Sequence, residues 1–488
     1  MIKYRRIERK QMGWQVLDVE ALIPADHIAR VIWGVCGKMN LSKFESEAQS
    51  LEGESGRPCW EPQLLISVWV YGYSMGIASA RALERMMSWE PGLRWLCGLE
   101  EINHHTLSDF RVAHGTALQE LFAQQLALLE QEGLLELTTL MQDGTKIEAQ
   151  AGKQSYHRRG QIEERLGAAR QALQELDRQA AAEEKVDERR RAAQQRAVRE
   201  RVARMEAALQ EMEERQERAP AKEREQVRVS VSEPEARKMK HNDGGWKLSY
   251  NVQTTTSAGA GKFLVGINVC NAENDVAALP GALELSEKNT GRAVKQLVAD
   301  AGYVTRENVI ALAAKGVELV APWKSARSRE AGALRGAGIA PEYGGSNFQS
   351  LEQPDVLVCP EGKWLQLVGR KKHHGQIVKQ YRAKQQDCAK CRARRNCCGR
   401  RQQARQVERT VEPDAVQALI RRMNAPAMEA LYKRRKEVAE WPHLWIKSLR
   451  GFRRFSVRGL AKAGMEALWA AVAYNVEQMI RVRRLQPA

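Results

Sequence analysis

Leu297-Val298-Ala299-Asp300-Ala301-Gly302-Tyr303 is a short apolar run that ends in a carboxylate and then in a glycine turn. Such a run, bounded by a turn signal, reads as a strand covered on both faces, although its length also fits a buried helical segment. Open α/β sheets place their working groups at strand ends, which gives Asp300 one possible reason to be there. The plainer alternative is an Asp that shapes the turn with Gly302 or caps the next helix. Working outward, Thr139 and Met141 alternate into Gln142-Asp143-Gly144-Thr145-Lys146, which reads as a second strand ending in an acid before glycine. Between the two acids, Trp246, Leu248, Tyr250 and Val252 alternate, as do Phe263, Val265, Ile267 and Val269, the pattern of paired antiparallel strands. Asp275 is placed to cap a helix through Leu279 and Leu283, a helix runs from about Arg306 to Lys315, and Val317 to Ala321 reads as a last strand. Three strands, a helix, a strand with the second acid, a helix and a strand predict a mixed five-stranded α/β sheet.

Other segments frame this core. The region 1–132 reads as helical: Asp26 caps one helix, Glu61-Pro62 opens an apolar helix from Leu64 to Met87, and Thr106 with Asp109 forms a capping box. That succession suits a helix-turn-helix DNA reader presenting Arg111 and His114, and equally a dimerisation domain. From Gln161 to Arg215, Ile162, Leu166, Ala169, Leu173 and Leu176, then Val198, Val202, Met205, Leu209 and Met212, keep a heptad seam in two blocks. One continuous helix would carry the chain roughly 80 Å away at 1.5 Å per residue, so an antiparallel helical hairpin inserted at 155–230 is expected.

The formal charge of +17 points to a polyanionic partner, nucleic acid or an acidic membrane surface. From Arg370 to Leu460, 25 Lys and Arg stand against 7 Asp and Glu, so this excess of 18 accounts for the whole balance. Met1 to Lys10 has no apolar secretory core, and the uncharged run Pro62 to Ala80 falls short of a spanning helix, so an intracellular protein is expected. Nine cysteines in a reducing compartment read as thiols or metal ligands. Cys388, Cys391 and Cys397, with Cys359 upstream, have a knuckle spacing suited to structural zinc, and Cys398, His373 and His374 are possible substitutes. Free thiols are the alternative.

Two carboxylates at strand ends beside a polyanion-binding surface suit a pair of hard divalent cations around a phosphodiester, with a third acid in the basic segment. The blocks Gln142 to Lys146, Ser249-Tyr250-Asn251-Val252-Gln253, Ala299 to Tyr303, and Val438-Ala439-Glu440-Trp441-Pro442 through Lys447 to Arg458-Gly459 resemble bacterial insertion-sequence transposases with an Asp-Asp-Glu triad. The resemblance runs from about Asp26 to Asn475. It implies a ribonuclease-H-like catalytic core (133–325 and 415–480), an N-terminal DNA-binding or dimerisation domain and a basic, cysteine-rich insertion (326–414). It also implies that Asp143, Asp300 and Glu440 ligate magnesium or manganese, and that Lys447 touches DNA near the scissile phosphate. Glu440 and Lys447 are two helical turns apart and would share a face, but Pro442 should kink or restart the helix just after Glu440. Trp441 and His443 to Trp445 depart from the family pattern, which keeps Glu437 as a rival third acid. Lys433, Arg434, Arg435 and Lys436, with Arg450, Arg453, Arg454 and Arg458, would hold backbone phosphates.

The implied activity is binding of the element's inverted repeats, cleavage at its ends and joining of 3′ hydroxyls to target DNA. It would be performed by a dimer or larger assembly in the bacterial cytoplasm, at the nucleoid. An inactive descendant acting as a DNA-binding regulator is the alternative.

Overall fold

The computed structural model describes residues 16–45, 59–182, 188–323, 334, 336–351, 354–373, 376–399 and 402–485. The chain is mixed α/β with a helical N-terminal region and divides into two compact units, Met1–Val294 with Lys436–Ala488, and Lys295–Arg435.

The first unit opens with α1 (Ile28–Cys36), α2 (Ser42–Glu45), α3 (Pro62–Ser74), α4 (Ala80–Met86), α5 (Pro91–Leu96), α6 (His104–Ala113) and α7 (Gly115–Gln131). Three local expectations shift. The cap of α1 is His27, whose ring nitrogen accepts from Ala29 N–H, and not Asp26. The helix expected over Leu64 to Met87 is two, because Gly76 turns the chain at φ +77°, where a Cβ would lie 2.5 Å from the Arg450 carbonyl oxygen. Ser79 then caps α4. Asn103 caps α6 ahead of Thr106, since its side chain reaches the His105 N–H at 2.7 Å.

Four of this unit's strands form an antiparallel array. The central strand pairs along one edge with β1 (Thr139–Glu148), and along the other with β4 (Arg237–Lys240) and then β6 (Leu264–Cys270); it is β5 (Trp246–Ser257). Two short strands, β2 (Tyr156–His157) and β3 (Val229–Ser230), pair at the base of α8 (Arg159–Ala182) and α9 (Glu188–Arg218). Ion pairs Arg159–Glu213 and Arg170–Glu206 run in opposite order along α8 and α9, which makes them antiparallel. The heptad residues Ile162, Leu166 and Ala169 bury against Met205, Ala208 and Met212, with Val229 joining the cluster. The interval between the two heptad blocks includes residues 183–187, which lie outside the described residues. A helix α10 (Ala278–Thr290) follows β6.

The second unit begins with β7 (Gln296–Val298), α11 (Arg306–Ala314) and β8 (Glu318–Val320), a parallel pair with its crossover helix. It then forms an antiparallel sheet that the sequence reading did not anticipate: β9 (Gln349–Leu351), β10 (Val356–Val358), β11 (Trp364–His373), β12 (Gln376–Ala383) and β13 (Gln406–Thr410), in that spatial order. Arg370, Lys371 and Lys372 stand together in β11, Lys379 and Arg382 are three apart in β12, and a register shift at Leu367/Gly369 interrupts the pairing, so neither strand shows the period-2 alternation that marks a half-buried strand. Short helices α12 (Gln385–Ala389) and α13 (Arg394–Cys397) lie between β12 and β13, and α14 (Asp414–Met423) precedes α15 (Pro426–Leu444).

The last helix, α16 (Leu460–Leu485), returns to the first unit. Its middle is buried from Glu466 to Val476, and Asn475 bonds both the N–H and the carbonyl of Leu264 on β6 at 2.9 Å. Trp469 donates to the Arg111 carbonyl at 3.2 Å. One helix thereby ties the N-terminal helices to the sheet.

Candidate active site

Asp143 lies within β1, opposite Thr254 of β5, and the strand continues for five residues to Glu148. The strand end expected at Gly144 does not occur, because Gly144 keeps its ladder position opposite Gln253. A buried polar ladder fixes this register. Gln142 donates to Gln253 at 2.9 Å and accepts from Thr255 at 2.7 Å, while Asn251 and Gln253 both donate to Asp275, at 2.8 and 2.7 Å. Asp275 is therefore an acceptor for β5, where the sequence suggested a helix cap. A one-residue slip would bury these amides without partners, at about 1–3 kcal/mol each.

Helix α15 meets this strand pair through His443. Its Nε2 lies 2.8 Å from Thr254 Oγ1, and its Nδ1 lies 3.9 Å from Asp143 Oδ2. Glu440 is exposed and sits one turn before His443, on the same side of the helix. The rival acid Glu437 is paired with Lys262 at 2.7 Å, and Lys262 also lies over the Trp441 ring. In the sequence His443 stands out only as a departure from the family pattern. Its role depends on a meeting of β5 with a helix 189 residues away, which no local signal encodes.

The helix does not restart after Glu440. It runs through Pro442 to Leu444, and the irregularity comes later as a π turn, Trp445–Leu449, which contains Lys447. The shared face inferred for Glu440 and Lys447 from a 3.6-residue period thus does not follow, because the helix widens between them.

In the second unit, Asp300 lies two residues beyond β7. Its Oδ1 accepts from Gly302 N–H at 2.6 Å and its carbonyl from Tyr303 N–H at 3.3 Å. A Cβ on Gly302 would fall 2.8 Å from that carboxylate oxygen, so glycine is what lets the acid occupy the turn. The turn-shaping role is real, and Asp300 remains a carboxylate at the end of a buried strand.

The basic residues do not form one class. Lys433, Arg434, Lys436, Arg453, Arg454 and Arg458 are exposed, with Lys433 paired to Glu429 one turn earlier. Arg111 is 6% exposed, lies over the Trp69 ring, donates to the Ala78 carbonyl and Ser456 Oγ, and stands 3.5 Å from Glu466, so it is a core ion and not a DNA contact. His114 packs against Phe44 and Phe110. Arg435 is buried beside Tyr432 and is withdrawn from the expected phosphate surface. Arg450 is committed to Glu477 at 2.5 Å and to the Trp445 ring. Lys447 is half-buried, and that burial, with the nearby charges of Arg453 and Lys247, pushes its ammonium down to about 8.

Cys359, Cys388, Cys391, Cys397 and Cys398 line one cavity in the second unit, with Tyr343 and Arg405. Burial pushes the Cys397 thiol up to about 12 and raises that of Cys398. Backbone N–H groups of Lys363 and Arg405 point at Cys359 and Cys388 sulfur, at 3.2 and 3.5 Å. Among the described residues, no group of three or more His, Cys, Asp and Glu is arranged to hold a metal ion. The thiols are the donor type that zinc takes, and His374 lies outside the described residues. No helix among those residues is long and apolar enough to cross a membrane.

Two family models match the chain: one described as a transposase DDE domain over residues 358–480, which includes Glu440 and the cysteines, and one described as a transposase domain (DUF772) over residues 17–113. No curated protein and no solved structure matches it.

Proposed function

Since the chain belongs to the DDE transposases of insertion sequences, we propose that it binds the terminal inverted repeats of its element, cleaves at the ends and joins the freed 3′ hydroxyls to target DNA. Asp143, Asp300 and Glu440 are the acids of this reaction, on a ribonuclease-H-like core. The observation that carries the reading is the seat of α15 on the strand pair: His443 reaches Thr254 and Asp143, and Glu440 stands one turn away. The same seat favours Glu440 over Glu437, which is already engaged by Lys262.

Donor chemistry fits the divalent ion that the family implies, because all three acids offer the hard oxygens that magnesium or manganese takes. When bound, such ions activate the attacking oxygen and stabilise the leaving one. The chain's own residues do the rest. Thr254 and His443 hold the acid-bearing helix against β1, and the Gln142–Gln253–Asp275 ladder keeps β1 in register. Lys433, Arg434, Lys436, Lys447, Arg453, Arg454 and Arg458 meet backbone phosphates. Both ends must be held before joining, so the working form is a dimer or larger, with the N-terminal helices or the α8–α9 hairpin as contacts.

The test uses the full chain, a labelled duplex carrying the DNA that flanks its gene, and magnesium. Asp143→Asn should bind the duplex but lose cleavage by about a hundred- to a thousandfold, as removal of a principal charge-stabilising group does. Cleavage near the wild-type rate by Asp143→Asn refutes the assignment. A wild-type chain that binds without cleaving would instead be a DNA-binding regulator.

A further inference from the structure

Lys447 is a half-buried cation set among like charges. The charged groups that face it are Arg453 beyond the π turn, Lys247 on β5, Lys146 on β1 and Asp243 on the turn from β4 to β5, with His241 on that same turn. Its ammonium makes no ion pair or hydrogen bond among the described residues. Lys146 donates to the Lys240 carbonyl at 3.2 Å, and Arg453 to the Lys447 carbonyl at 3.2 Å, so neither meets a carboxylate there. Glu148, at the end of β1, is already shared by Lys247 at 2.6 Å and Arg454 at 3.1 Å. His241 bonds Ser249 Oγ at 2.7 Å, and burial together with Lys447 and Lys247 holds its ring below the usual imidazole value.

Besides Glu148, Asp243 is the acid that acts on this group. It pairs with Lys247 at 3.0 Å, accepts from Gly245 N–H at 2.9 Å, and is 58% exposed on a turn with Gly244 at φ +82°. An exposed acid on a glycine turn is a weak and replaceable counterion. Cations converging from β1, β5 and the segment after α15 hold a local potential that a single external anion would satisfy.

Resting on the DNA-binding reading above, we infer that Lys146, Lys247 and Arg453 complete with Lys447 a cradle for one DNA backbone phosphate, and that Asp243 is the internal anion which the phosphate displaces. A phosphodiester carries one negative charge and two unshared oxygens, and it can be approached by several cations at once. Asp243 then makes the free cradle less attractive to stray anions and sets a threshold that DNA must exceed.

The experiment is fluorescence anisotropy of a labelled duplex with the full chain, over salt and pH, with melting curves for each variant. Lys447→Met and Lys146→Met should each weaken binding about three- to tenfold and lower the salt slope by about one. Lys447→Met should melt no lower than wild type, since a half-buried ammonium among like charges opposes folding. Asp243→Asn should bind about threefold tighter; Asp243→Ser, which keeps an acceptor for Gly245, repeats the test if the first variant misfolds. The sign of the pH effect follows from the free ammonium at about 8. Below that, Lys447 is already charged and affinity is flat; above it, binding must take up a proton, and affinity falls by up to about tenfold per unit. Lys447→Arg should flatten that fall. Lysine variants that bind like wild type, or Asp243 variants that fold and bind no tighter, overturn the cradle while leaving the functional reading intact. A wild-type chain that binds no duplex overturns the functional reading itself.

Discussion

Arg111 and Lys447 look alike in the sequence, each a cation in a helical segment near other polar groups, yet they belong to opposite electrostatic settings. Arg111 is enclosed with Glu466, whose side chain is fully buried, and Ser456 donates to the same carboxylate. Burial raises the Glu466 carboxyl above its usual range, against the pull of Arg111. Lys447 has the cations Arg453, Lys247 and Lys146 for neighbours, opposed by the exposed Asp243. The difference teaches that net charge locates no surface. What matters is whether the fold delivers a buried acid into direct contact, as α16 does for Arg111, whereas among the described residues no carboxylate pairs with the Lys447 ammonium.

Breaking the enclosed pair should have the largest effect on stability. Arg111→Met leaves Glu466 buried without its cation, and a loss of about 3–5 kcal/mol is expected from denaturant melts. If Arg111 reached DNA instead, the same variant would melt normally and bind weakly. A sharper form is the double variant Arg111→Met with Glu466→Met, which should recover much of that loss, because two apolar side chains of similar reach carry no desolvation cost. Failure of the double variant to recover would mean that packing around Trp69 and Ser456, and not charge, dominates. The smallest effect belongs to the exposed set. Lys433→Ala removes a surface pair with Glu429 and should change stability by less than about 0.5 kcal/mol, while lowering the salt slope of duplex binding by about one.

Much of the fold was legible because its signals are local. The alternation in β5 and β6 gives an antiparallel pair, and the heptad residues of α8 and α9 meet in a common buried cluster. The failures share a different cause. Gly144 reads as a turn after Asp143, but the hydrogen-bonded partner β5 carries the strand past it. Asp26 and Thr106 are sound caps in isolation and lose to His27 and Asn103, a few residues away. Pro442 is tolerated inside α15, and the departure from α-helical geometry falls at Trp445 to Leu449. The sheet of β9 to β13 was hidden by its own lysines and arginines. At the candidate site, Asp143, Asp300 and Glu440 are visible as acids in telling contexts, whereas His443, Thr254 and Asp275 acquire meaning only from contacts far apart in sequence.

The central claim is that the acid one turn from His443 works with Asp143 on phosphodiesters. Its most direct measurement is cleavage of a labelled element-end duplex by the full chain with magnesium, comparing Glu440→Gln with Glu437→Gln. The account predicts that Glu440→Gln binds but does not cleave, while Glu437→Gln, which weakens the pair with Lys262, cleaves close to the wild-type rate. Cleavage retained in Glu440→Gln would contradict it.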